Sequence, residues 1–364
     1  MHVGIAGAGI MGRTLAFSLL ERGHQVTLFD RDPVQEGGAA AYAAAGMLAP
    51  LAELESAEHD IYRLGRRSLR LWPGLIDRLA ADVDYHRLGS LVVAHGADGA
   101  GFREFHRRLS NQLPQQEREN LCLLQGEALA LEEPDLADRF GEALWLKGEA
   151  WLDTRKLMTA LADYLPGSGA RWHATTPVES LAPGVIRTGH EDHCFDVVVD
   201  CRGLGARDAI PGLRGVRGEI LWLDAPQVRV NRPVRLIHPR YRLYLVPRQG
   251  NRYVLGATQI ESDDSGPVTV RSSLELLSAA YSLHDGFSEA RVVHMEANCR
   301  PALDDNRPRL IAGDRLLRIN GLFRHGYLLA PALAELATDW LENPNPVDSG
   351  HDVLFSFDNE EAHD

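Results

Sequence analysis

Residues 3–30 open V-G-I-A-G-A-G-I-M-G, continue through an apolar-periodic stretch and close on Q-V-T-L-F-D. That order reads as a strand, a glycine turn, a helix and a second strand ending in an acid. Gly7, Gly9 and Gly12 carry the spacing G-x-G-x-x-G. The first glycine serves the tight turn, the second lets a backbone approach a pyrophosphate, and the third lets helix and strand pack closely. The helix spanning Gly9–Gly23 would turn its free N–H groups and positive dipole end toward the phosphates, so Ile10 and Met11 join the glycines as candidate contacts. Asp30 follows Gly12 by 18 residues, the place of an acid that accepts from a ribose hydroxyl, with Arg31 beside it. The N-terminal third is therefore predicted to be a parallel dinucleotide-binding unit.

The remainder of the chain limits what such a unit serves. At 364 residues there is room for two domains or one large one. A net charge of −13 argues against non-specific nucleic-acid binding and against attraction to anionic membranes. No apolar run reaches the roughly 18 residues that span a bilayer; Ala39–Ala52 comes nearest and is interrupted by Gly46 and Pro50. Met1 leads directly into the first strand without the cationic start of a signal peptide. Cys122, Cys194, Cys201 and Cys299 show neither C-x-x-C pairing nor metal spacing, so reduced thiols in a cytoplasmic protein are expected, with no metal.

Residues 56–82 are amphipathic at helical spacing. Leu91–Val93 reads as a short strand, Phe102–Asn111 as a helix, and Thr154–Leu165 as a helix capped by Asp153. Asp196–Cys201 is a β-branched run ending at Gly203 and Gly205, as buried parallel strands do beside a cofactor. From 216 to 297 the pattern becomes alternating strands (Gly218–Asp224, Val234–His238, Tyr241–Pro247, Tyr253–Thr258 and Ala290–Asn298) around one helix, Ser272–Ser282. Leu316–Asn320 then returns to the first domain, followed by a glycine turn and a helix from about Pro331 to Leu341. Beyond about Asn343 the chain is polar and acidic, and disorder is expected at the extreme C-terminus. The fold class predicted is α/β, a Rossmann-type domain of residues 1–84, 144–215 and 297–364. A substrate domain with an antiparallel sheet, residues 85–143 and 216–296, is inserted into it.

The opening motif alone suits NAD(P)-dependent β-hydroxyacid dehydrogenases as well as flavoproteins. Three later segments separate the two. Ala43-Ala44-Ala45-Gly46-Met47-Leu48-Ala49-Pro50 with Glu53, Tyr244-Leu245-Val246-Pro247-Arg248 with Gly256-Ala257-Thr258, and Asn298-Cys299-Arg300-Pro301 with Gly321-Leu322-Phe323-Arg324-His325-Gly326-Tyr327-Leu328-Leu329-Ala330-Pro331 all bear on the cofactor and substrate. Together they resemble the glycine oxidase branch of the D-amino-acid oxidase family of FAD-dependent amine oxidases. The resemblance implies non-covalent FAD. Ala45, Gly46 and Met47 would pass beneath the flavin, residues 322–328 would offer N–H groups to its pyrimidine edge, and Val178 would meet the adenine through its backbone. It also implies that Arg300 and Tyr244 hold the substrate carboxylate, with Arg324 beside substrate and flavin. A guanidinium suits that work, being planar, permanently charged and able to pair bidentately.

Departures from the family pattern fall at Ala40-Ala41-Tyr42, which replaces a more polar approach to the flavin loop, and at Arg242 and Leu322, each standing where a relative carries His. Cys299 replaces an apolar residue, and a buried thiol is expected there. The resemblance implies oxidation of a small amino acid, most simply glycine, to an imino acid and then an oxo acid, with dioxygen reduced to hydrogen peroxide. No Asp, Glu or His in the motifs is placed as a base, which fits hydride transfer. A thiazole synthase downstream, in thiamine synthesis, and a homo-oligomer are further implications. The alternative is a D-amino-acid or sarcosine-type dehydrogenase with an acceptor other than oxygen.

Overall fold

The structure is a computed structural model, and residues 1–240, 242–343 and 355–357 are described. His2–Ala6 pairs in parallel with Val197–Asp200 on one side and Gln25–Phe29 on the other. Among the described residues this sheet has seven strands, in the order Phe355–Phe357, Arg309–Gly313, Leu316–Asn320, Val197–Asp200, His2–Ala6, Gln25–Phe29 and Arg171–His173. Arg309–Gly313 and Leu316–Asn320 run antiparallel as a hairpin. The helices Ile10–Glu21, His59–Leu79, Thr154–Gly167 and Gly326–Glu342 contribute Leu15, Trp72, Leu161 and Leu333 to the core on one face of this sheet. On the other face, Ala6, Phe29 and Val198 pack against Ile186 and Phe195 of the small three-stranded sheet and its flank. A sheet covered on both sides needs the near-continuous apolar strands the sequence supplies.

The second sheet has nine strands among the described residues. Arg214–Asp224 lies between Arg252–Gly256, with the short Ile260–Glu261 also pairing to it, and the long edge strand Arg291–Ala302; the order continues through Arg242–Arg248, Val234–Ile237, Ser90–Ala94, Glu142–Leu146 and Leu121–Gln125. Strict alternation divides its two faces. Leu221, Leu223, Leu236, Leu243, Leu245 and Leu255 form one core with the helix Val270–Leu283, while Arg235, Tyr244, Gly256 and Ile220 point the other way. The fold is thus α/β, a Rossmann-type domain with an inserted sheet domain.

Several expectations need correction. The inserted sheet is mixed, because Val234–Ile237 and Ser90–Ala94 pair in parallel. The expected edges at 143/144, 215/216 and 296/297 each fall inside a strand, Glu142–Leu146, Arg214–Asp224 and Arg291–Ala302. Backbone ladders continue past the point where side-chain composition changes. The last helix starts at Gly326, with Pro331 inside it. Pro331 has no N–H for the Tyr327 carbonyl one turn earlier. Trp72 Nε1 replaces that donor at 3.2 Å, so the helix runs through. Within the polar tail Phe355–Phe357 forms a strand beside Arg309–Gly313, and the extreme C-terminus, where disorder is expected, lies outside the described residues. The Asp153 cap is as expected, accepting from the N–H groups of Arg155 and Lys156.

Candidate active site

A cavity of about 1470 Å³ runs from the glycine turn, along the alanine-rich loop, to the open face of the inserted sheet. Gly7, Gly9, Ile10, Met11, Asp30, Arg31 and Val178 line one end. Ala45, Gly46 and Met47 line the middle, as does the run Leu322, Phe323, Arg324, His325, Gly326, Tyr327 and Leu328. Arg300 and Tyr244 line the far part. Gly12 alone among the expected residues lies off this surface. A Cβ there would sit 1.9 Å from the Gly7 carbonyl oxygen, so its role is the packing of helix on turn.

Two features of the first end fit a dinucleotide. A Cβ on Gly9 would meet nothing nearer than Ala39, 3.9 Å away, yet Gly9 faces the cavity. The protein itself does not demand glycine there, whereas a pyrophosphate against the backbone would. The helix Ile10–Glu21 also begins with no side-chain cap, leaving its first N–H groups free for an anion. Asp30 accepts from Ala8 N–H and, at 2.9 Å, from Asp32 N–H, which fixes its carboxylate at the strand end. Gly326–Glu342 likewise starts uncapped where residues 322–328 meet the cavity.

At the far end the row Arg235–Tyr244–Gly256–Ile220 crosses four paired strands on one face. The Arg300 guanidinium enters from the edge strand and donates to the Thr258 carbonyl at 3.2 Å. No carboxylate among the described residues pairs with it, while burial disfavours its charged form and pulls its pKa down. Tyr244 is raised by burial, against the pull of Arg300, so it keeps its proton as a donor at neutral pH. A half-buried cation and a hydroxyl without an acid between them are suited to a ligand carboxylate.

Arg324 and His325 line the cavity and are also tied to an acid. Arg324 bonds Glu53 Oε2 and Ser56 Oγ, and His325 Nε2 meets Glu53 Oε2 at 2.9 Å. Arg235 completes the set, 2.7 Å from Glu53 Oε1. Burial pushes the Glu53 carboxyl up, but Arg324, Arg235 and the bond from His325 outweigh it and hold the group well below the usual carboxylate range. Burial, with the nearby guanidiniums, lowers His325, which is therefore neutral and donates through Nε2. The helix carrying Glu53 is held in turn by Glu149, whose carboxylate accepts from Ala52 N–H at 2.8 Å and from Ser90 Oγ.

The motifs had included Glu53 only as a neighbour of the flavin loop and had missed Arg235 and Glu149. An alternating V-R-L-I strand carries no sign that its arginine faces a cavity. The Cys299 thiol is buried, as expected, and donates toward the Ser262 and Asp264 carbonyls at 3.5 and 3.4 Å. The Arg242 side chain lies outside the described residues. All four cysteines are unpaired. Among the described residues no His, Cys, Asp and Glu cluster could hold a metal, and no helix is long and apolar enough to cross a membrane.

Comparison with known proteins identifies the family. The family model DAO, described as FAD dependent oxidoreductase, matches residues 2–340. A Rhizobium etli protein that carries the name thiamine biosynthesis oxidoreductase ThiO is 45% identical over 334 residues, 92% of this chain and 94% of that one. A Synechocystis protein named bifunctional ThiO/ThiG is 27% identical over 92% of this chain, which spans 50% of it. The crystal structure of glycine oxidase from Geobacillus kaustophilus superposes with a TM-score of 0.80 at 25% identity, covering 93% of this chain and 94% of that one.

Proposed function

The chain belongs to the DAO family of FAD-dependent oxidoreductases, and within that family we propose that it oxidises glycine. The observation that carries this reading is the Arg300 guanidinium, half-buried in the cavity with no acidic partner among the described residues, beside the Tyr244 hydroxyl. The site residues named above bind FAD and substrate in this reading. Arg300 pairs with the substrate carboxylate, Tyr244 donates a second bond, and together they orient the amine carbon. Bound FAD supplies a two-electron acceptor, and dioxygen carries the electrons away as hydrogen peroxide. Water then hydrolyses the imine, so glycine, O2 and H2O give glyoxylate, ammonia and H2O2.

Glu53 holds its charge under three donors, so it is a poor proton acceptor, and burial with the neighbouring guanidiniums weakens His325 as a base. That arrangement suits removal of the α-hydrogen without a protein base. The four unpaired cysteines suit a reducing, cytoplasmic setting. The relative that joins ThiO to ThiG in one polypeptide supports passing the imine to a thiazole synthase. The test is product analysis of the FAD-loaded enzyme with glycine. One glyoxylate and one peroxide per oxygen consumed supports the proposal; turnover with an anaerobic dye and none with oxygen would replace the oxidase with a dehydrogenase.

A further inference from the structure

Two glycines lie beneath the carboxylate-binding pair, and neither owes its place to a positive φ. Gly218 and Gly256 are absent from the positive-φ glycines, and a glycine inside a strand weakens it unless something must approach closely. Arg300 lies opposite Val216, with Gly218 two residues farther along the same strand and on the same face. A Cβ on Gly218 would stand 2.0 Å from Arg300 Nη2 and 2.2 Å from Cζ. The three atoms nearest to it all belong to that guanidinium. A Cβ on Gly256 would likewise come within 2.9 Å of the Tyr244 hydroxyl oxygen, though Ile220 also crowds it. The floor beneath Arg300 is therefore a bare Cα. The head group lies over Gly218, held at one side by the Thr258 carbonyl.

We propose that Gly218 is a positioning residue: by leaving the sheet surface open it lets Arg300 lie in the one orientation that meets the carboxylate of a small amino acid. The proposal rests on the assignment of Arg300 to that carboxylate. A methyl group at 218 collides with the mobile end of a long side chain, not with backbone, so the fold survives while the guanidinium is displaced. Affinity for the carboxylate falls, and the cofactor end of the cavity is untouched.

The test uses FAD-loaded Gly218→Ala, Arg300→Ala and the double variant. Kd for glycolate, a carboxylate of glycine's length without the amine, is read from the perturbed visible spectrum, and KM and kcat for glycine from oxygen uptake. Gly218→Ala is expected to keep its FAD and to raise Kd and KM about tenfold to a hundredfold, with kcat changed far less. In the Arg300→Ala background it is expected to add nothing. Wild-type Kd and KM in Gly218→Ala, or a further loss on top of Arg300→Ala, would overturn the role of Gly218. Loss in Arg300→Ala alone leaves the carboxylate assignment standing; no loss there overturns both. If Gly218→Ala does not fold, the double variant decides: its folding supports the collision with Arg300, and its failure overturns it.

Discussion

Arg324 Nε lies 2.9 Å from Glu53 Oε2, and the same oxygen receives a terminal nitrogen of Arg324 at 2.7 Å. The arginine that the motif places beside the substrate is thus engaged by an acid on the short helix Pro50–Glu53, 271 residues away. Glu53 also separates Arg324 from Arg235, and removing its charge would leave two guanidiniums facing each other.

Glu53→Gln is accordingly expected to destabilise the protein by about 2–3 kcal/mol. That lies below the figure for a fully buried pair, because both arginines keep about a fifth of their side chains exposed. Thermal unfolding of the variant against wild type, both without added ligand, measures it; equal midpoints would contradict the bridging role.

Glu149 gives the stability a pH dependence of definite sign. Burial raises its pKa from 4.5 to about 7 in the folded protein, despite bonds from Ser90 and Ala52. Between those values the folded state holds more protons than the unfolded one, so this group's stabilising contribution is full below pH 4.5 and is lost as pH rises through 7. The loss amounts to roughly 3 kcal/mol. Glu149→Gln should flatten that part of the profile and gain on wild type as pH rises. Unfolding midpoints taken from pH 5 to pH 8 test this, and parallel profiles would contradict it.

The cofactor end is tested by Gly9→Val. The side chain would project into the cavity where the protein leaves room, so the variant is expected to fold and to purify without flavin colour. A fully yellow variant with the wild-type flavin-to-protein ratio would refute the phosphate site.

Trp72→Phe removes the donor that replaces the missing Pro331 N–H. The Tyr327 carbonyl is then left without that partner in a buried helix, at a cost of about 1–3 kcal/mol. Denaturant unfolding of the variant reads this directly, and an unchanged midpoint would mean the carbonyl finds another donor.

These residues show where the sequence was readable. The G-x-G-x-x-G turn, the buried strands and the Asp153 cap depend on neighbours in the chain, and local spacing reports them. The long-range groups were less visible. The start of the last helix was misplaced because Pro331 looks like a helix boundary until Trp72 supplies its donor from 255 residues away. Glu53 joins Arg235, Arg324 and His325 from three segments, and only the folded sheet shows that the Arg235 face borders a cavity. The Gly218 position likewise reads as an ordinary strand glycine until the Arg300 head group is seen lying across it.

The central claim is that the half-buried Arg300 guanidinium, without a carboxylate partner among the described residues, receives the carboxylate of glycine. The most direct measurement is anaerobic flavin bleaching by glycine, followed against concentration in wild type and in Arg300→Ala. The account predicts bleaching in wild type that saturates at low glycine. It predicts retained FAD in the variant with an apparent Kd raised by at least about tenfold, the equivalent of one lost charge-assisted bond. The same concentration dependence in both proteins would contradict it.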